Sequence, residues 1–472
     1  MQKTVTSSVK IGLVILAIGL LIGVLIGYAQ SPSNTSTISP GVYPGAPSYT
    51  VWMEGSNYFA KDANGMIAFS GTNATQIISL ASVGSTKILI LGDIVVSSPI
   101  ILPSNITIEI QGSLTLADNA NCNIFNLVDV GYVQIFGGKL DGNKAHNTAG
   151  IGIYINTTTY TSDLLHHISD IHIDNFSQHG IKIEGESRAV FLRGVSVYGS
   201  DDTGFYIGGG DHHITNCLAG QNTGKGFYFG NVGGNQVSNC KAFGTKYNTT
   251  DSFGDGFLIS GVRNILTNCY AQENDRHGFL VYSSLPSVYG RFNSIVNCIG
   301  ESNNFNGSLG GAGIRLDGVN SNSVIGGLFT NMIGAKQEYG IWLANASADN
   351  IIIGANCLNN RNVSFVIDAA ALGNNNTVKN NLGFITDNAG STASCVNGTV
   401  IAHGLAGTPT TITLTFVGQP YVNSTCWLLT PTIIASNSTT FTLAMNISNA
   451  GTITAVAAPD AGTIMWNCVY KP

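Results

Sequence analysis

Gly204-Phe-Tyr-Ile, Gly226-Phe-Tyr-Phe, Gly256-Phe-Leu-Ile and Gly278-Phe-Leu-Val repeat one phrase: a glycine, an apolar residue, any residue, an apolar residue. Gly152-Ile-Tyr-Ile and Gly180-Ile-Lys-Ile precede them, and Gly313-Ile-Arg-Leu and Gly340-Ile-Trp-Leu follow. The glycines lie 28, 24, 22, 30, 22, 35 and 27 residues apart, a period that means a stacked solenoid. Side chains of a strand alternate faces, so the residues after each glycine point in, out, in. All sixteen inward positions are apolar, which excludes a helix with its 3.6 period. Parallel repeats stack about 4.8 Å apart, so Phe205, Phe227, Phe257 and Phe279 form an internal ladder. The glycine itself marks either a backbone with φ > 0 or a place with no room for a Cβ.

A second phrase runs between the first: Ile214-Thr-Asn-Cys, Val237-Ser-Asn-Cys, Leu266-Thr-Asn-Cys and Ile295-Val-Asn-Cys. Asn216 and its equivalents turn a corner, while Cys217, Cys240, Cys269 and Cys298 stack inside as small hydrophobes. Disulfides or a metal are the alternative, although Cys-x-x-Cys ligand spacing is absent. His166-His167 and His212-His213 fall where later coils have Gln236 or Asn264, and read as polar corner residues.

Charged residues are only 10 % of the 472-residue chain and apolar residues 44 %, which does not describe a disordered polymer. A net charge of -6 with pI ≈ 5.8 argues against a nucleic-acid partner.

The remaining stretches divide the chain. Residues 1–29 carry Lys3 and Lys10 and then the apolar run Ile11 to Ala29, expected as a transmembrane anchor with its N-terminus in the cytoplasm. The other reading is a signal peptide cleaved after Ala29. Residues 30–48, rich in Ser, Thr and Pro, read as a stalk. Residues 49–85 hold short strands and one helix, Thr72 to Ala81 with Thr72 as N-cap, which caps the open solenoid. Residues 86–392 are the parallel solenoid. From 393 to 472 long Thr-rich alternation predicts an antiparallel β-sandwich, with two of Cys395, Cys426 and Cys468 available to pair. Fourteen Asn-x-Ser/Thr sequences beyond the apolar run suit an exported, glycosylated protein. The expected class is thus all-β, on the extracellular side of a membrane.

Over residues 72–390 the chain resembles the pectate-lyase-like right-handed parallel β-helix superfamily. The resemblance rests on the capping helix, Gly137-Gly-Lys-Leu-Asp141-Gly-Asn, and the Gly-Phe-x-Ile and Ile-x-Asn-Cys coils. The layout, with a terminal segment beginning His403-Gly-Leu-Ala-Gly-Thr-Pro, looks like archaeal surface proteins of that superfamily. The resemblance implies a polysaccharide or cell-surface glycan as partner, with lyases, polygalacturonases, epimerases, tailspikes and adhesins all within reach, and a homotrimer, since many relatives trimerise. It implies no cofactor beyond Ca²⁺ in the case of a lyase. Polygalacturonases carry Asn-Thr-Asp, Asp-Asp, Gly-His-Gly and Arg-Ile-Lys on successive coils. Asp201-Asp202 matches the second, but His179-Gly180 comes one coil before it, and the first and last are missing.

Aligning the coils on their glycines places His179, Asp201, Asp202, Lys225, Asp255, Asp275, Arg276 and His277 in one exposed row. Two carboxylates two coils apart, Asp202 and Asp255, suit the roughly 6.5–9.5 Å separation of an inverting glycoside hydrolase. A lyase would instead use Lys225 or Arg276 as base. The outward residues Tyr154, Lys182, Tyr206, Tyr228, Arg315 and Trp342 read as a sugar-stacking platform, with the cations for acidic sugars. Leu258 and Leu280 in mid-row call for a cover, either a loop or a partner.

Overall fold

The computed structural model describes residues 46–159, 163–230, 233–283, 285, 288–307, 309–332, 334, 336–395, 399–403, 405–417, 428–449, 452–455 and 462–469. The anchor and all but the end of the stalk lie outside these residues. Among the described residues no helix is long and apolar enough to cross a membrane.

Each repeat copy becomes one rung of an eleven-stranded face that starts at Ile100–Ile101 and Phe125–Val128 and ends at Tyr339–Ala344 and Val363–Ile367. The rungs are parallel and their registers align the copies: Phe205 pairs with Phe227, Phe227 with Phe257, and Phe257 with Phe279. Inward-pointing rings meet at the spacing of the rungs, with centroids 4.5, 4.8 and 4.9 Å apart and nearly parallel planes. All four phenylalanines are fully buried.

The repeating glycines are there for want of room. None of the eight has a positive φ. A Cβ on Gly226 would stand 2.6 Å from the carbonyl oxygen of Gly256, and one on Gly278 would stand 2.6 Å from that of Gly313. Each coil turns into the face with its backbone pressed against the same turn of the next.

Two further faces come from short strand pairs such as His213–Thr215 and Leu218–Gly220, or Ile265–Thr267 and Tyr270–Gln272. The corner between the members of each pair is the left-handed asparagine of the second phrase: Asn216, Asn239, Asn268 and Asn297 have φ between 50° and 54°. Asparagine tolerates that region because its short side chain bonds locally. Cys217, Cys240, Cys269 and Cys298 follow the corner, buried and unpaired. The Cys217 N–H donates to Cys240 Sγ at 3.4 Å. Among the described residues no group of His, Cys, Asp and Glu side chains is arranged to hold a metal ion.

At the corners flanking the glycine face, buried amides repeat from coil to coil. Asn235 Nδ2 donates to Asn264 Oδ1 (2.8 Å), Asn264 to Asn293 (3.0 Å), Asn293 to Asn322 (3.0 Å) and Asn322 to Asn350 (3.2 Å). His166 and His212 occupy the same column in earlier coils, where Nδ1 accepts the backbone N–H of Val133 and Val190, each at 3.1 Å. Burial pushes both imidazoles down to about 4, so they stand neutral. A second amide column, Asn274, Asn303, Gln337 and Asn360, lines another corner.

The N-terminal end carries three antiparallel strands, Tyr49–Glu54, Asn57–Asp62 and Ile67–Gly71, then the helix α1, Ala74–Ser82. Its N-cap is Asn73, whose Oδ1 accepts from the Gln76 N–H, one residue later than the expected Thr72. Ile77, Ile78 and Ala81 are buried in the core, while Leu80 points outward.

A second set of antiparallel strands starts at Asp387. Asp387–Cys395 and Thr411–Val417 flank Gly462–Val469 in one sheet, and Leu428–Ser436, Thr440–Asn449, Val400–Ala402 and Thr452–Ala455 make another. Cys468 is buried and unpaired; Cys426 and the Cys395 side chain lie outside the described residues.

Candidate functional site

The residues around the repeating glycines and the outward middle residues share one face, and the structure sorts them into four groups along the axis. The first is Tyr154, Lys182 and Tyr206. Lys182 Nζ bonds Glu184 at 2.7 Å and lies over the Tyr154 and Tyr206 rings, 5.9 and 5.3 Å from their centroids. The Tyr154 hydroxyl donates to Glu184. Burial, and then that carboxylate, push the phenol up to about 12.

The second group is His179, Asp202, Tyr206 and Tyr228. His179 Nδ1 is buried without a hydrogen-bond partner and lies 3.9 Å from Asp202 Oδ2. Burial outweighs the Asp202 charge and lowers the imidazole's pKa, so the ring is a neutral base near pH 7. Asp202 is 42 % exposed and accepts from Thr203 Oγ1 at 2.9 Å. Tyr206 meets the His179 ring at 5.3 Å and Tyr228 edge-on at 4.9 Å. Asp201 turns away to Lys144, at 2.7 Å, and is not part of this group.

The third group corrects the expected pair of carboxylates. Asp255 is directly in register with Lys225. It is 0 % exposed, however, and clamped by Arg276, with Nε–Oδ1 2.9 Å and Nη2–Oδ2 2.7 Å. The His277 N–H completes its shell at 3.1 Å. Burial opposes the Arg276 charge, but Asp255 outweighs it and raises the guanidinium's pKa. A carboxylate so enclosed is not presented to a glycosidic oxygen or to water. Neither expected lyase base is free: Arg276 serves Asp255, and Lys225 bonds Asp251. Both cations also lie 4.8 Å from the Phe253 ring. Asp275 accepts the Tyr247 N–H at 2.9 Å and so braces this loop. His277 is also buried. Its Nδ1 accepts the Ala312 N–H at 3.0 Å, and burial, followed by Arg276 and Arg315, pushes its pKa well down.

The fourth group is Arg315 and Trp342. The guanidinium lies 4.1 Å from the indole centroid and 2.8 Å from Asp317, and Trp342 Nε1 donates to Asp368 at 2.9 Å. Leu258 and Leu280 are each 2 % exposed, so they are covered within the single chain.

Sequence reasoning missed the partners. Glu184 and Asp317 stand two residues beyond Lys182 and Arg315, and period-2 alternation puts them on the same side. Asp251 and Phe253 come from the residues that lengthen one repeat to 30, and that excess was their only signal. The consequence is electrostatic. Four cations in the row (Lys182, Lys225, Arg276, Arg315) face six carboxylates (Glu184, Asp202, Asp251, Asp255, Asp317, Asp368). Each cation of the row is thus tied to a carboxylate of this chain.

Residues 151–307 match the family model described as a right handed beta helix region. The solenoid is a right-handed parallel β-helix. The enzymatically active domain of tailspike protein 2 of bacteriophage CBA120 superposes with a TM-score of 0.52 and 14% identity, over 84% of this chain and 68% of that one. The A-module of a mannuronan C-5 epimerase of Azotobacter vinelandii gives 0.50 and 13% identity, over 65% of this chain and 96% of that one. At these identities the likeness is one of fold. No curated protein sequence matches the chain.

Proposed function

We propose that the chain binds a polysaccharide along the glycine face and that His179 and Asp202 are the reacting pair if the bound glycan is cleaved. The observation that carries binding is the row of half-buried rings, Tyr154, Tyr206, Tyr228 and Trp342, all projecting outward from rungs of one parallel sheet. Each ring has a cation against it, so sugar C–H groups would meet the ring edges left open, and the charge pairs between the rings offer donors and acceptors to hydroxyls. The fold is shared with a mannuronan C-5 epimerase module, whose name denotes action on a polysaccharide. That likeness supports the substrate class and no finer assignment.

The reacting pair is argued from availability. Asp255, Lys225 and Arg276 are committed to partners, whereas the Asp202 side chain is 42 % exposed and within reach of a sugar, and the neutral His179, its buried Nδ1 3.9 Å behind that carboxylate, can take up or return a proton through it. A depolymerisation screen on acidic and neutral polysaccharides tests this. Unsaturated products mark proton abstraction followed by elimination, and new reducing ends without them mark hydrolysis. His179→Ala and Asp202→Ala should abolish either while Asp255→Asn mainly loses stability. Failure of the chain to bind any glycan, or binding by Tyr206→Ala as tight as the parent's, would remove the reading.

The second reading, a non-catalytic surface or adhesion protein with the solenoid as a rigid spacer, is favoured by the internal pairing of every cation in the row. Turnover in the same screen excludes it. For either reading we infer an extracellular position, held by residues 1–29 or secreted after cleavage at Ala29. Membrane fractionation separates these outcomes, and light scattering checks the homotrimer expected from the resemblance.

A further inference from the structure

A different face of the solenoid carries a depression that none of the foregoing uses. It is built on the strands His172–Asp174, Ser196–Tyr198 and Leu218–Gly220, consecutive and in parallel register. His172, Asp174, Ser196, Tyr198, Leu218 and Gln221 line a volume of about 490 Å³. That is within the roughly 300–1,000 Å³ of clefts that take small ligands.

Beside the depression one rung has no side chain, and the rings of the rungs on either side fill its place. Tyr198 is in register with Gly220, and Gly220 with Phe243. A Cβ on Gly220 would stand 2.5 Å from Tyr198 Cε1 and 2.9 Å from Phe243 Cε1. The two rings therefore lean over the glycine and meet edge-on, 5.8 Å apart at 74°. On the other side the His172 ring is tilted 45° to Tyr198 at 5.4 Å. No neighbouring ring among these lies flat on Tyr198, unlike the His167, Phe191 and His213 rings of another face, which stack within 9° of parallel and cover one another.

The polar lining is organised. His172 Nδ1 and Ser196 Oγ are 2.8 Å apart, and His172 Nε2 lies 3.8 Å from Asp174 Oδ2. Lys139 holds Asp174 at 3.4 Å and Asp141 at 2.8 Å. Lys144, whose Nζ bonds the Gly199 carbonyl at 2.6 Å and Asp201 at 2.7 Å, and Lys241, in register with Leu218, bring the neighbourhood to three cations against three carboxylates. Gln221 is exposed at the rim.

We propose that this depression is a glycan subsite that takes one neutral pyranose, with Tyr198 against its apolar face and Asp174, His172 and Gln221 on its hydroxyls. An aromatic wall with a few convergent polar groups is what a sugar ring needs, and each cation beside the depression already has a partner, which leaves none for a uronate. The assignment does not rest on the glycine face, so either site can fail alone.

The test is calorimetric titration of the full chain with cellohexaose, mannohexaose and hexagalacturonate, made in a Tyr206→Ala background to silence the glycine face. At least one neutral hexaose should bind, and Tyr198→Ala should weaken it about ten-fold, the loss of about 1.4 kcal/mol. Gln221→Asn keeps a residue that tolerates this left-handed position but shortens its reach; it should weaken binding less and leave the circular dichroism unchanged. If Tyr198→Ala fails to fold, Gln221→Asn decides. The proposal is overturned if no neutral hexaose binds, if folded Tyr198→Ala binds as the parent does, or if hexagalacturonate binds more tightly than both neutral probes.

Discussion

Replacing Arg276 by leucine tests whether Asp255 is an architectural carboxylate or a reacting one. In the structure Asp255 is 0 % exposed and Arg276 provides two of its three hydrogen bonds, at 2.9 and 2.7 Å. The third, from the His277 N–H, survives the substitution. Removing one partner of a buried pair leaves an uncompensated charge and costs about 3–5 kcal/mol, whereas an exposed pair is worth about 0–1. Arg276 is 18 % exposed, which lets some water reach its side of the pair, so about 3 kcal/mol is expected. Asp255→Leu/Arg276→Leu should recover much of that, because two apolar side chains replace two charges. Urea titration followed by circular dichroism gives the overall loss. Amide exchange should localise it to the coils around 255–277, since a solenoid couples mainly to its neighbours. A cost below about 1 kcal/mol for Arg276→Leu, or a double variant no better than the single one, would refute the buried-pair reasoning.

Four more outcomes are expected. His166 and His212 have folded pKa values of about 4, below the ordinary 6.5, so the unfolded chain binds more protons in acid. Stability is therefore full above about pH 6.5 and is lost as pH falls towards 4, by about 3 kcal/mol for each ring once protonated. His166→Asn/His212→Asn, the residue that later coils use in this column, should flatten the acid limb of melting temperature against pH. Asn293→Ala removes an amide that bonds Asn264, Asn322 and the Gly261 carbonyl, and should cost about 3 kcal/mol in urea titration through stranded buried groups. Gly226→Ala places a methyl 2.6 Å from Gly256 O and 2.8 Å from Ala242 Cβ, and should lower stability by about 2 kcal/mol, read from the melting temperature. Phe257→Ala opens the middle of the ring ladder and should cost about 3–5 kcal/mol by the same urea titration.

The backbone plan was legible because one side-chain rule was written many times. Inward residues of the glycine copies are buried as alternation demands, and the thiols after each asparagine corner are buried as small hydrophobes. The histidines at 166 and 212 were readable as corner residues from their alignment with later asparagines. What alignment left open was the reason for the glycines, since a positive φ and a lack of space leave the same letter in the sequence. Only the coil-to-coil distances chose the second.

The site was legible only as a row. Position relative to the glycine told which residues stand near the exposed face, but not whether a charge meets water, sugar or another charge. Asp255 looked equivalent to Asp202 in sequence. The structure buries one against Arg276 and leaves the other half-exposed beside His179. Neither the contacts of Asp251 and Phe253 nor the lean of Tyr198 and Phe243 over Gly220 follows from periodicity.

By itself, then, the sequence determined a parallel solenoid, its inward ladders and its polar corners, because each of those is a local pattern repeated at a fixed spacing. Tertiary structure decided which charges cancel, which imidazole keeps an unpartnered nitrogen, and which rings close over a rung that has no side chain. Those depend on contacts between coils some 20 to 35 residues apart, and such contacts are set by packing distance rather than by position in the repeat.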